Sequence, residues 1–271
     1  MTAVSVASLL IALSLPGQTT SADAPEGREA LDRLKLMKES VKGYTITRAD
    51  DRESAIRVLP EPAFRLGKQG VGNVFDGAIF LWADATGRPE SAMQMFLLKT
   101  REEPKGIWLH EFTSLSTRPL TATDRGEIRW RPAQPGLTFR PLDGAPKPGA
   151  TPAQRLRQMR ELAGGFRATD NFGDRGWLAL RRLTTPIARY GKPGGAPEDG
   201  ALFAFVTGTD PEVFLFIEDR PGAAGLEWQY ALAPMTCYAL KVERDGRQVW
   251  TLPRRNSEDP SLTFYDMRFI P

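Results

Sequence analysis

Met37-Lys38-Glu39-Ser40-Val41-Lys42-Gly43-Tyr44-Thr45-Ile46-Thr47 returns further along the chain, without a gap, as Met159-Arg160-Glu161-Leu162-Ala163-Gly164-Gly165-Phe166-Arg167-Ala168-Thr169. Outward from this pair, Leu59, Pro62, Arg65, Gly67 and Lys68 recur at unchanged spacing as Leu183, Pro186, Arg189, Gly191 and Lys192. Asp76-Gly77-Ala78-Ile79-Phe80 recurs as Asp199-Gly200-Ala201-Leu202-Phe203. Trp108, Gly126 and Trp130 match Trp228, Gly246 and Trp250, and Pro135, Leu137, Thr138 and Phe139 match Pro260, Leu262, Thr263 and Phe264. Matches that keep their order over a whole unit, with offsets drifting as loop insertions would make them, mark an internal duplication. The reading is two units, residues 33–142 and 155–267, joined by a Pro-, Gly- and Ala-rich linker at 143–154.

Each unit opens on a helical pattern. Thr151 suits an N-cap and Pro152 the first helical position, Leu156, Met159 and Ala163 fall on one face, and Gly164-Gly165 ends the pattern. Leu34, Met37 and Val41 repeat the stripe before Gly43. Strands follow. Ala201–Val206 and Val213–Ile217 are apolar runs flanking a turn-forming link, and Ala78–Ala83 with the alternating Met93, Met95 and Leu97 form the same hairpin in the first copy. The expected fold class is α+β: two tandem repeats, each one N-terminal helix followed by an antiparallel sheet of about six strands.

Composition excludes several functions. The 36 Lys and Arg stand against 33 Asp and Glu without a dense basic run, which gives nucleic-acid binding no footprint. One cysteine, Cys237, and one histidine, His110, rule out a disulfide framework and the usual zinc sets, so no metal and no cofactor is expected. Val4–Leu15 is an apolar run of signal-peptide length, too short to span a bilayer, followed by small residues that favour cleavage after Ala22. Met1-Thr2-Ala3 carries no positive charge, which points to a start upstream. The expectation is a signal peptide at 1–22, export to the periplasm or the extracellular space, and no integral membrane insertion once the leader is removed.

Trp108-Leu109-His110-Glu111-Phe112-Thr113-Ser114-Leu115-Ser116, Thr151 to Met159 and Asp199 to Glu212 together resemble a family of uncharacterised exported proteins from planctomycete bacteria. The resemblance spans nearly the whole chain. It implies an exported bacterial protein and supplies no activity, substrate or catalytic residue.

His110 and Glu111 are the one place where a proton-transferring pair could be proposed, since histidine titrates near neutrality beside a carboxylate. Strand alternation puts them on opposite faces, and the second unit carries Tyr230 where His110 would be, which favours a packing role. A Cys237–His110 dyad lacks a preceding glycine-rich elbow or oxyanion loop. Serine-hydrolase, Walker and dinucleotide glycine patterns do not occur. Asp170-Asn171-Phe172-Gly173-Asp174 lacks the ordered spacing of a calcium loop. Arg65 and Arg189, each followed by Gly-Lys and an Asp-Gly about ten residues on, fit either an anion-binding corner or an Arg–Asp brace. The sequence therefore favours a noncatalytic exported binding or structural protein with a protein or polysaccharide partner. Its alternative is a secreted hydrolase acting on a carbohydrate or ester.

Overall fold

The computed structural model describes residues 25–51, 56–67, 73–195, 197–223 and 225–269. The proposed signal peptide and Lys68 lie outside the described residues. The first half runs through helix α1 (Pro25–Val41) and strands β1 (Tyr44–Arg48), β2 (Arg57–Val58), β3 (Phe64–Leu66), β4 (Val74–Ala83), β5 (Pro89–Leu98), β6 (Ile107–Ser114), β7 (Leu120–Asp124), β8 (Glu127–Trp130) and β9 (Arg140–Pro141). The second runs through α2 (Pro152–Gly164), β10 (Phe166–Asn171), β11 (Trp177–Ala179), β12 (Arg181–Arg182), β13 (Ala188–Tyr190), β14 (Gly200–Thr207), β15 (Asp210–Gly222), β16 (Gly225–Pro234), β17 (Ala239–Arg244), β18 (Arg247–Leu252) and β19 (Phe264–Phe269).

This corrects the expected fold class. Among the described residues the protein is mostly β, 48% strand against 13% helical, with two helices and four sheets, and it is not a pair of helix-plus-one-sheet repeats. Two sheets have six strands, ordered β19-β6-β5-β4-β2 with β3 also on β4, and β12-β14-β15-β16-β9 with β13 also on β14. Two smaller sheets are ordered β1-β7-β8 and β11-β10-β17-β18. The expectation failed for a definite reason: hydrophobic periodicity locates strands but is blind to their partners. After β6 the chain turns away at Ser116–Pro119, so β7 and β8 pair with β1 instead of extending the sheet that holds β6.

A second departure lies at the tails. Strand β19 pairs antiparallel with β6 of the first half, from Phe264 opposite Thr113 to Phe269 opposite Trp108. The short β9 pairs in turn with β16 of the second half, Tyr230 opposite Arg140. Each half thus completes the other's sheet, and Trp130 anchors the crossing segment by donating its indole N–H to the Leu262 carbonyl at 2.8 Å.

Packing explains the sequence patterns. The two six-stranded sheets face each other across a central core that includes Ile79, Leu81 and Phe96 on one side and Leu202, Phe214 and Phe216 on the other. Helix α1 and the β1 sheet cover the outer face of the first large sheet through Met37, Val41 and Ile46 against Phe80, Trp82 and Met93. Helix α2 and the β10 sheet do the same for the second, Met159, Ala163 and Phe166 meeting Phe203, Phe205 and Leu215. Strands β14 and β15 are therefore covered on both faces. This is why their cores read as unbroken apolar runs and not as alternating ones.

Helix α2 forms where expected. Thr151 and Gln154 make a reciprocal capping box, Pro152 begins the helix and Gly165 follows it. Its buried positions are Arg155, Met159 and Ala163, one face at four-residue spacing, while Leu156 is only half-buried. A buried arginine there has a partner: Arg155 Nε donates to Asp199 at 3.0 Å, and Arg189 donates to the same carboxylate through Nε at 2.8 Å and Nη2 at 2.6 Å. The first half repeats the arrangement with Arg33 and Arg65 on Asp76, at 2.7 and 2.6 Å.

Candidate functional site

The alternation of β6 sends His110 and Glu111 to opposite faces, so the structure does not bring the proposed pair together. His110 is fully buried in the outer core of the first half, with the Tyr44 hydroxyl 2.8 Å from Nδ1 and the Tyr44 ring packed edge-on. Burial pulls its pKa down to about 3, so the imidazole is neutral at ordinary pH. In the second half Tyr230 packs against Phe166 with ring centroids 5.1 Å apart.

Glu111 faces inward, toward the other half. Its cross-strand neighbours are Gln94 on β5 and Asp266 on β19, and beyond them lie Asp210 and Glu212 from the turn into β15. Burial, reinforced by Asp210, Asp266 and Glu212, raises its pKa well above the usual carboxylate range. Gln94 donates Nε2 to Asp210 at 2.6 Å, and burial raises Asp210 to about 6 although that bond opposes the shift. Glu212, 4% exposed, is raised well above normal by burial and then by Asp210 and Asp170, against hydrogen bonds from Thr236 and Thr207. Asp170 on β10 has no exposed surface and neither of its carboxyl oxygens has a hydrogen-bond partner; burial lifts it to about 6. The result is a seam of carboxyl groups contributed by three of the four sheets.

The equivalent corner of the first half shows what is unusual here. Pro89 and Pro211 occupy the same place after the bulge of each hairpin, opposite Ala83 and Val206. Glu90 therefore corresponds to Glu212 and Arg88 to Asp210, while Arg48 follows Thr47 as Asp170 follows Thr169. In the first corner two guanidinium groups bracket the glutamate: Arg88 Nη1 donates to Glu90 at 2.9 Å and Arg48 Nη2 lies 3.2 Å from it. Arg88 Nε also reaches Glu218 across the central seam at 2.8 Å, where Tyr190 and Arg220 converge on the same carboxylate. In the second corner both arginines are replaced by aspartates. The swap is visible in the aligned copies, but only the packing shows that the three residues meet.

The remaining expected residues are placed as follows. Cys237 is half-buried near Glu111 and Asp266; burial first, then those carboxylates, raises its pKa and keeps it a thiol, while His110 points out of the opposite face of β6. Asp170 of the candidate calcium loop turns inward to the seam, and Gly173–Arg175 forms a short 3-10 turn. No group of three or more His, Cys, Asp or Glu among the described residues is placed to hold a metal ion. Arg65 and Arg189 aim their forks at Asp76 and Asp199 of the same chain.

Two of the clefts in the molecule lie away from this seam. A cleft of about 380 Å³ opens where β10 and β17 meet the segment that leaves β11 for β12. Phe166, Ala168, Leu180 and Phe205 form its apolar lining, with Arg167, Arg182, Lys241 and Glu243 as its charged groups. A shallower depression of about 520 Å³ is lined by Pro135, Phe139 and Arg220 among others. Neither touches His110, Glu111, Asp170, Asp210 or Glu212. Among the described residues no helix is long and apolar enough to cross a membrane.

Comparison with family models, with curated proteins and with solved structures gave no match.

Proposed function

We propose that the protein is a noncatalytic binding module acting outside the cytoplasm. One observation carries this reading: His110 and the carboxyl groups with raised pKa, Glu111, Asp170, Asp210 and Glu212, line neither of the two clefts described above. Catalysis needs an acid, base or nucleophile within reach of bound substrate. Here His110, Asp170 and Glu212 are buried between packed sheets and Glu111, Asp210 and Asp266 are half-buried, whereas the cleft at β10 has Glu243 as its only carboxylate and neither His110 nor Cys237 in its lining. Export rests on the apolar run Val4–Leu15 and on the stretches that resemble the planctomycete family. Mass spectrometry of the mature amino terminus tests it, with residue 23 expected first.

The rival reading, a hydrolase for carbohydrates or esters, draws on Asp210 and Glu212, two neighbouring carboxyls with raised pKa. Asp210 is half-buried, so this reading would require the buried Glu212 to reach a bound substrate. Screening chromogenic glycosides and esters between pH 5 and 8 should show no turnover. Turnover that disappears in Glu212→Gln, with the fold intact, would establish the hydrolase and overturn the binding reading.

A further inference from the structure

Arg182 differs from the arginines that brace the helices and hairpins of this fold. Its neighbours in function, Arg33, Arg65, Arg88, Arg155 and Arg189, each meet a carboxylate. Arg182 donates Nη1 to the Leu183 carbonyl at 3.2 Å and lies over the Phe203 ring, and burial alone acts on it, lowering its pKa with no carboxylate to offset the loss of water. The fold does not demand a charge at this place. Arg182 sits opposite Phe205 on the ladder between β12 and β14, and the corresponding ladder position between β2 and β4 is Val58 opposite Trp82. A half-buried guanidinium that meets no carboxylate, at a position where the other half has valine, leaves its remaining N–H groups free for an anion.

We propose that the cleft bounded by β10, β12 and β17 binds a carboxylate-bearing ligand, with Arg182 as its anion contact. The proposal rests on the binding-module reading and names its ligand class. The cleft holds three cations against one carboxylate, and that carboxylate, Glu243, lies directly opposite Arg167 in the β10–β17 register, which leaves Arg182 and Lys241 in excess. The planar guanidinium fork matches a carboxylate with two parallel hydrogen bonds, and Lys241 adds a point charge. Lys241 Nζ rests 3.9 Å from the Trp177 ring centroid, and Trp177 is 43% exposed beside the cleft, an aromatic flank for the body of a ligand. A volume of about 380 Å³ falls within the size range of small-molecule sites. The carboxylate can come from a free sugar acid or from a uronate unit of an acidic glycan.

Calorimetric titration of the full chain with galacturonate, trigalacturonate and neutral galactose tests this. Binding of either galacturonate, weakened about tenfold or more in Arg182→Val, with no heat from galactose, is the expected result. Tighter binding of the trimer than of the monomer assigns the source to a glycan, and equal binding assigns it to the free acid. Valine is the residue already carried by the other half, and a thermal melt of the variant verifies its fold. Equal binding of galactose, unchanged affinity in Arg182→Val, or no binding of either galacturonate overturns the carboxylate site. Those failures are separate from failure of the binding-module reading, which falls only if the chromogenic screens show Glu212-dependent turnover.

Discussion

At the scale of single residues, the two hairpin corners give opposite solutions to burying the same glutamate. Glu90 lies between the guanidinium groups of Arg48 and Arg88, and Arg88 also holds Glu218 across the seam. Removing one member of such a buried set leaves charge without compensation. Arg88→Met is therefore expected to lower stability by about 3 kcal/mol, the lower end for a broken buried pair because Arg220 still reaches Glu218. Urea unfolding measures this, and a loss below about 1 kcal/mol would show that Arg88 does not neutralise the corner. Nothing in the sequence around Arg88 reveals that Glu218, far along the chain, lies opposite it.

At the scale of elements, the hairpin of β14 and β15 carries Asp210 and Glu212 into a seam already holding Glu111, Asp170 and Asp266. The other groups around this seam are Gln94, Thr207, Thr236, Cys237 and Tyr238, with Arg254 also acting on Cys237 and Tyr238. For Asp170 and Asp210 the folded pKa, about 6, exceeds the unfolded value near 3.8. The native state then holds more protons than the unfolded chain, so stability is full below about pH 4 as far as these groups act, and is lost as pH rises through about 6. Glu111 and Glu212, raised further, extend the loss to higher pH. Thermal melts should show a lower Tm at pH 8 than at pH 5. Asp210→Asn removes one ionisation and keeps the shape, so it should flatten that slope, recovering on the order of 2 kcal/mol at pH 8. A Tm that rises from pH 5 to pH 8 would contradict the placement of these carboxyls.

At the scale of the whole molecule, the tails decide whether the halves are independent. Strand β19 supplies the edge of the first large sheet, so a chain ending at residue 258 leaves β6 with an unpaired row of backbone donors and acceptors along Trp108–Thr113. Size-exclusion chromatography of that truncation should show association or aggregation, where two self-contained units would leave the first half unaffected. This arrangement also separates what each source of information could supply. Local patterns determined the helix at Pro152–Gly164, with its Thr151 cap, proline and glycine, and the central hairpins, because those elements are set by interactions between near neighbours in sequence. The repeated residues also led to Asp76 and Asp199 as counterparts, and strand alternation to the opposed faces of His110 and Glu111. Only the tertiary structure decided that there are four sheets, that the tails cross between halves, and that Asp170, Asp210 and Glu212 meet while Arg182 faces an open cleft. The reason is physical: strand pairing and the burial of charge depend on contacts between residues distant in the chain, and periodicity carries no record of which distant surface a strand will meet.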